Sequence, residues 1–163
     1  MKLPFEIDLK DKVAVVTGGG GVLCSGFAKT LAACGAKVAI LDLRLEAAEA
    51  VAEEIRAEGG VAIGVAANVL QRESMEEARK LIEEKLGTCD ILLNGAGGNN
   101  PRGQTTKEYL EPEDLEGAVE GVRTFFDLDP EGVGFVFNLN FLGTLIPTQV
   151  FARDMAKKTG CSI

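Results

Sequence analysis

The sequence predicts an α/β fold with a doubly wound parallel sheet. Short apolar, β-branched runs recur at residues 13–16, 38–41, 61–66 and 91–93. Each of the first three is followed by a stretch of helical length with one apolar face, and glycines punctuate the joints. Continuously apolar strands are those buried on both faces of a parallel sheet. Strands that alternate with amphipathic helices imply a sheet covered on both sides, and right-handed crossovers then favour the doubly wound order.

The first strand is Val13-Ala14-Val15-Val16, leading into Thr17 and four glycines, Gly18 to Gly21. A helix starts close to Val22, with Leu23, Phe27 and Leu31 on one face at fourfold spacing. Gly35 closes it as a C-cap glycine. The second strand ends at Asp42, and its helix turns Leu45, Ala48, Ala52 and Ile55 inward, with Glu46, Glu49, Glu53 and Glu54 outward, until Gly59-Gly60 breaks the pattern. The third strand feeds a helix with a capping box, Ser74 with Glu77. That helix has an inward face of Met75, Ala78, Ile82 and Leu86 and a closing Gly87. The fourth strand is Ile91-Leu92-Leu93.

Beyond it the rhythm fails. Residues 94–101 are turn formers, and residues 98–129 read as a long insert with a short helix across residues 112–126. A connection of that length in a compact domain tends to be functional or mobile. Asp129-Pro130-Glu131 reads as a helix start with proline in the first turn. That helix runs to about Lys158, kinked where the Pro147 ring crowds the carbonyl of Gly143. Gly160 ends it, and Cys161-Ser162-Ile163 reads as the beginning of a fifth strand, cut short.

With 163 residues the chain reads as one domain, 1–163, long enough to bury a core. A formal charge of −8 argues against nucleic acid or an anionic membrane as the main partner. The absence of histidine removes a His base, a His-assisted nucleophile and any His-ligated metal. Cys24, Cys34, Cys89 and Cys161 lack metal-ligand spacing and read as free thiols in a reducing cytosol, so no metal is expected. The first eight residues hold no long apolar run and so no signal peptide, and no stretch looks long enough to span a membrane. The expected setting is soluble and cytoplasmic.

Strand, glycine run, helix, second strand and terminal acid together are how a protein grips a dinucleotide. Glycine allows a sharp turn and close approach, and the helix start offers free N–H groups and a positive dipole end to a pyrophosphate. Asp42 stands where a carboxylate binds a ribose 2′-hydroxyl and repels a 2′-phosphate, so NAD is favoured over NADP. Arg44 nearby weakens that preference unless it is only a solvated charge in the first helical turn. The strict G-x-G-x-x-G spacing is not met, since Cys24 stands where the last glycine belongs. A glycine-rich turn that merely packs strand on helix is the competing reading.

Thr17-Gly18 with its trailing glycines resembles the T-G-x-x-x-G-x-G cofactor loop of the short-chain dehydrogenase/reductase family. Asn94-Gly95-Ala96-Gly97 is similar to that family's N-N-A-G motif, with Gly95 replacing the second Asn. Asn140-Phe141-Leu142-Gly143 is similar to its N-x-x-G motif. These motifs, in the family's order, imply a Rossmann fold. The glycine loop, the 94–100 segment and the insert most resemble the sugar-acid branch that includes D-mannonate (fructuronate) oxidoreductases. The resemblance implies that Thr17, Gly18, Gly20, Gly21, Val22 and Leu23 form the pyrophosphate loop and that Asp42 binds the adenosine ribose. It implies that Asn68 and Val69 flank the adenine, where the family usually has Asp-Val. Asn94, Gly95, Ala96 and Gly97 would border the cofactor, and Asn140 would support a water-mediated proton relay or simply cap a distorted turn. Val22 and Cys24 replace the two later glycines of the loop, and Cys24 either crowds the phosphates or sets a wider loop.

The family's chemistry also needs a Ser and a Tyr-x-x-x-Lys, the Lys lowering the Tyr pKa. The one tyrosine, Tyr109, precedes the 140–143 motif and is followed four residues on by Glu113, so it is out of order for that role. The expectation is an NAD-linked hydride-transfer enzyme for a small polar substrate, a sugar acid. Its cofactor half is in this chain, which by itself is inactive. A homo-oligomer, dimer or tetramer, is implied, with apolar surface near residues 91–93 and 141–146. The alternatives are a dinucleotide-binding module without catalysis, and an α/β domain holding another phosphate ligand or none.

Overall fold

The computed structural model describes residues 7–115 and 120–163. The start of the chain and part of the helix expected across residues 112–126 lie outside the described residues. The chain alternates β1 (Val13–Thr17), α1 (Val22–Ala33), β2 (Lys37–Asp42), α2 (Leu45–Ala57), β3 (Val61–Ala66), α3 (Arg72–Lys85) and β4 (Ile91–Asn94). All strand pairings are parallel, in the order β3-β2-β1-β4. The chain winds outward from β1 and then crosses back to lay β4 on the other side of β1. That reversal opens a crevice at the carboxyl ends of β1 and β4. Beyond β4, Leu92 N–H donates to Ser162 C=O and Ser162 N–H to Asp90 C=O, both at 3.0 Å. A single parallel bridge therefore pairs Ile91 with Ser162 on the free side of β4, where the sequence predicts the beginning of a fifth strand.

Strand side chains alternate between faces, and the core divides accordingly. Val13, Val15, Ala39, Leu41, Val65 and Leu92 meet Met75, Ala78 and Ile82 of α3. Ala14, Val16, Val38, Ile40 and Ala62 meet α1 and α2 through Cys24, Ala28, Ala48, Val51, Ala52 and Ile55. The predicted inward face of α3, Met75, Ala78, Ile82 and Leu86, is buried throughout.

Two helix faces differ from expectation. In α1 the buried residues are Cys24 and Ala28, while Leu23 and Phe27 are 76% and 51% exposed. The glycine turn sets the helix rotation, and small side chains let it approach the sheet closely. In α2, Val51 joins Ala48, Ala52 and Ile55, and Leu45 points out. The capping box at Ser74 is also absent. Helix α3 starts at Arg72, which puts Ser74 inside it, and Ser74 Oγ accepts the Asn68 N–H at 3.0 Å.

Among its described residues the insert holds single 3₁₀ turns at Pro101–Gly103, Pro112–Leu115 and Phe125–Asp127. Thr124 and Asp127 form a reciprocal capping box in the last of these. The insert returns to the start of α4 (Pro130–Phe137), which Asp129 caps through the Glu131 N–H at 2.9 Å. There a Cβ on Gly103 would stand 2.8 Å from the carbonyl carbon of Gly132, so the backbones touch. Arg102 locks the contact by pairing with Asp129 and Glu131.

Helix α4 passes through a π turn, Asn138–Leu142, into α5 (Gly143–Met155). The departure from α geometry thus lies at this turn, upstream of Pro147. Val150, Phe151 and Met155 of α5 pack on the α3 side of the sheet. Against expectation, the helical stretch Pro130–Met155 spans 26 residues and is long and apolar enough to cross a membrane by length and composition alone. Its end is nonetheless committed to the core, with Phe151 1% and Met155 4% exposed. Phe141, Leu142 and Leu145 are exposed as predicted, whereas Leu92 is buried and its neighbours Ile91 and Leu93 are half-buried beside the α1 core. The four cysteines are free thiols.

Candidate active site

The carboxyl ends of the strands open into a cleft of about 520 Å³. Its floor is the joint between the loops after β1 and β4. Thr17 is fully buried, and its Oγ1 accepts the N–H groups of Gly95 (3.1 Å) and Ala96 (3.2 Å). One hydroxyl therefore staples two loops that are 78 residues apart in sequence. Gly18 takes φ +63°, and a Cβ there would stand 2.8 Å from Ala96 Cα. Only glycine meets both conditions.

Gly20 is required for a different reason. Its N–H donates to Asp42 Oδ2 at 3.1 Å, and a Cβ would lie 2.7 Å from Ala47 Cβ. Asp42 Oδ1 accepts the Arg44 N–H at 3.1 Å. A carboxylate offers about four lone-pair positions, so two remain for a ligand hydroxyl. Gly21 starts α1 with extended geometry and without a side-chain cap. The first-turn N–H groups at Val22 and Leu23 therefore have no intrahelical acceptor, and both residues border the cleft. No acidic side chain lies in that turn.

Cys24 also borders the cleft, its Sγ 3.7 Å from the Gly95 carbonyl oxygen. Burial, then the Asp42 carboxylate, push this thiol above its usual pKa. It stays neutral at physiological pH and adds no negative charge to the cleft.

On the far wall, Asn68 forms an Asx turn by accepting the Leu70 N–H at 3.0 Å, and Val69 is buried beside it. At the opposite end Asn94 Nδ2 donates to Thr148 Oγ1 at 3.0 Å, tying β4 to α5, while its Oδ1 is buried without a partner among the described residues. Gly97 lines the cleft and packs against Asn140, whose Oδ1 a Cβ there would meet at 2.6 Å. Asn140 grips Gly98 at both backbone groups: Oδ1 accepts its N–H at 3.2 Å and Nδ2 donates to its carbonyl at 2.8 Å. Nδ2 also donates to Val136 C=O, and the Asn140 carbonyl accepts the Thr144 hydroxyl at 3.1 Å. The π turn thus presents Asn140 as a clamp on the β4 loop.

Of the predicted site residues, Gly18, Gly21, Val22, Leu23, Asp42, Asn68, Val69, Gly95, Ala96 and Gly97 line one cleft. Thr17, Gly20, Asn94 and Asn140 stand behind or beside it and hold its walls. Sequence reasoning missed Leu43, Ala67 and Leu139 in the lining. Leu43 and Ala67 are legible once ligands are placed at strand carboxyl ends, whereas Leu139 arrives through long-range packing of the π turn. Tyr109 lies elsewhere, 75% exposed, over a small hollow of the insert with Lys107 and Phe125. No cluster of three or more potential metal-ligating side chains occurs among the described residues.

Residues 12–163 match the family model described as short chain dehydrogenase. The chain is 52% identical over 163 residues to an uncharacterised oxidoreductase of Haemophilus influenzae, covering 100% of this chain and 56% of the relative. It is 46% identical over 155 residues to the uncharacterised oxidoreductase UxuB of Bacillus subtilis, covering 95% and 54%. The chain thus spans about half the length of the curated relatives it matches. Among solved structures, it resembles a Haemophilus influenza protein crystallised with bound NAD, whose proposed identity is a D-mannonate oxidoreductase. The TM-score is 0.85 at 53% identity, covering 91% of this chain and 52% of that one.

Proposed function

The chain belongs to the short-chain dehydrogenase family of oxidoreductases, and on that premise we propose that its cleft holds NAD for hydride transfer to or from a sugar acid such as D-mannonate/fructuronate. The observation that carries the proposal is the joint between the strand ends. A glycine cradle too tight for side chains, an uncapped helix start and a two-pronged acid face a single cleft of about 520 Å³.

The fit is chemical as well as spatial. Backbone N–H groups at Val22 and Leu23 suit a pyrophosphate. The free lone pairs of Asp42 suit a ribose diol, and its charge disfavours the 2′-phosphate of NADP. Asn68 and Val69 wall the adenine end, and Ala96 and Gly97 border the nicotinamide end. Asn140, clamped to Gly98, supports the proton relay there. Bound NAD supplies the acceptor for a hydride leaving a secondary alcohol carbon. The alcohol proton would need an acceptor such as the family's Ser/Tyr/Lys group, a motif that these 163 residues do not present. The likeness to the Haemophilus protein supports the substrate class.

We further propose one domain carrying a long insert. The free thiols support a reducing, cytoplasmic setting, and the exposed Phe137, Phe141 and Leu145 support packing of the long helix against a second copy. The test is NADH titration of the full native protein by fluorescence, followed by turnover of D-mannonate with NAD. Saturable NADH binding with NADH production is expected. Failure to bind NADH would remove the whole reading, and binding without turnover would remove the substrate and favour a non-catalytic binding module.

A further inference from the structure

Two of the departures from the family's motifs meet in space. Cys24 replaces a glycine of the cofactor loop, and Gly95 replaces the second Asn of the β4 motif. Their positions are 71 residues apart in sequence, yet Cys24 Sγ lies against the Gly95 carbonyl at 3.7 Å. A Cβ built on Gly95 would run into that sulfur, by far its worst contact. Its next neighbours are the Thr17 carbonyl oxygen at 2.9 Å, a backbone contact that also resists a side chain, and Leu93 Cδ2 at 3.2 Å, a side-chain end that gives by a few tenths of an ångström. Gly95 has no left-handed φ to explain it, since that conformation is confined to Gly18, Gly35, Gly59, Gly87, Gly121 and Gly160 among the described glycines. Its lack of a side chain has a steric cause, of which the thiol is the largest part.

The consequence reaches the cleft. Gly95 and Ala96 give their N–H groups to Thr17 Oγ1, and Ala96 is the residue against which Gly18 is packed. Displacing Gly95 therefore shifts the cradle itself. Cys24, 9% exposed, fills the wedge between α1 and the β4 loop at the edge of the cleft.

We propose that Cys24 and Gly95 form one steric unit, with the Cys24 thiol as a positioning group that seats the β4 loop against Thr17 and Gly18 and so sets the width of the cofactor cleft. This rests on the reading of the cleft as a dinucleotide site. A side chain at 24 demands none at 95, and emptying position 24 makes room at 95.

The test is a double-mutant cycle in the full native protein, with Cys24→Gly, Gly95→Ala and the double variant. NADH affinity and melting temperature are measured for each. Gly95→Ala alone is expected to weaken NADH binding about tenfold and lower the melting temperature by about 3 °C or more, the scale of overpacking in a tight site. Cys24→Gly alone leaves a void and a smaller loss. The double variant is expected to recover part of the affinity lost by Gly95→Ala, since the Thr17 carbonyl contact remains. A Gly95→Ala variant that binds NADH normally, or a double variant no better than it, would overturn the steric unit. Recovery of melting temperature without recovery of affinity would leave a packing role and overturn the positioning role. If the unsubstituted protein binds no NADH, the cofactor reading fails, while the melting-temperature cycle still decides whether the two positions are coupled.

Discussion

Asp42 and Thr17 each do with one side chain what the local backbone cannot do for itself. Asp42 ends a strand, holds the Gly20 N–H with one oxygen and starts the turn into α2 with the other. Replacing it with alanine is expected to release the glycine loop and remove a charged hydrogen-bond acceptor. NADH affinity should then fall about tenfold to a hundredfold, with proportionally less loss for NADPH. Fluorescence titration with both cofactors checks this, and equal losses for the two would remove the discrimination assigned to the carboxylate. Thr17→Val keeps the shape but deletes the acceptor for two N–H groups. Leaving buried donors unpaired costs about 1–3 kcal/mol each at most, so a stability loss near the lower end of the summed range is expected. Urea unfolding measures it.

At the scale of elements, the insert is better anchored than its lack of long helices suggests. Gly103 and Gly132 cross at backbone contact, Arg102 pairs with Asp129 and Glu131, and Arg123 reaches the carbonyls of Pro101 and Gln104. These contacts turn a long connection into a compact loop docked on the start of α4. Gly132→Ala places a Cβ 2.7 Å from the Arg102 carbonyl carbon, with backbone on the other side that cannot rotate away. The insert is expected to lift from α4 while the sheet stays intact, at a local cost of about 1–3 kcal/mol. Limited proteolysis should then cut within residues 98–129 faster than in the unsubstituted protein, with little change in far-ultraviolet circular dichroism. Unchanged cutting would show that the glycine crossing does not anchor the loop.

Across the whole molecule, the end of the sheet opposite the cleft is closed by one buried acid. Asp90 is 8% exposed; its Oδ2 accepts the Val13 N–H at 2.9 Å and its Oδ1 the Lys158 ammonium at 2.8 Å, with Lys12 at 3.9 Å. Lys158 also reaches Thr88, so β1, β4 and the end of the long helix share a single knot. Burial alone would raise the Asp90 pKa, but Lys158 and the Val13 N–H outweigh it and hold the carboxyl below its usual range. A folded-state pKa below the unfolded value, about 3.9, means stabilisation that is complete above that value and lost as pH falls through the folded pKa. Asp90→Asn is therefore expected to destabilise the protein at neutral pH by about 1–3 kcal/mol. It should also flatten the fall in stability below about pH 4. Urea midpoints measured from neutral to acid pH test this, and parallel profiles for the two proteins would contradict it. In the same region burial, with Asp90 beside it, pushes the Cys89 thiol up to about 12, which leaves it protonated and unreactive in the folded chain.

The strands, their order in sequence, the inward face of α3 and the glycine–acid grip were legible from the sequence because each depends on local periodicity or on a fixed motif spacing. Thr17, Gly18, Asp42 and the loop from Asn94 to Gly97 announced the site for the same reason. What the sequence could not show was set by contacts between distant segments. The rotation of α1 that buries Cys24 and Ala28 follows from the glycine turn and the sheet beneath it, not from the Leu23–Phe27–Leu31 spacing. Ser74 serves Asn68 instead of a helix start because α3 begins two residues earlier. The π turn exists where Asn140 can hold both backbone groups of Gly98, a pairing across 42 residues that no helical repeat encodes. By itself the sequence determined which residues meet at the strand ends; the tertiary structure alone decided how tightly, because Cys24, Gly95, Thr17 and Ala96 come together only across the sheet.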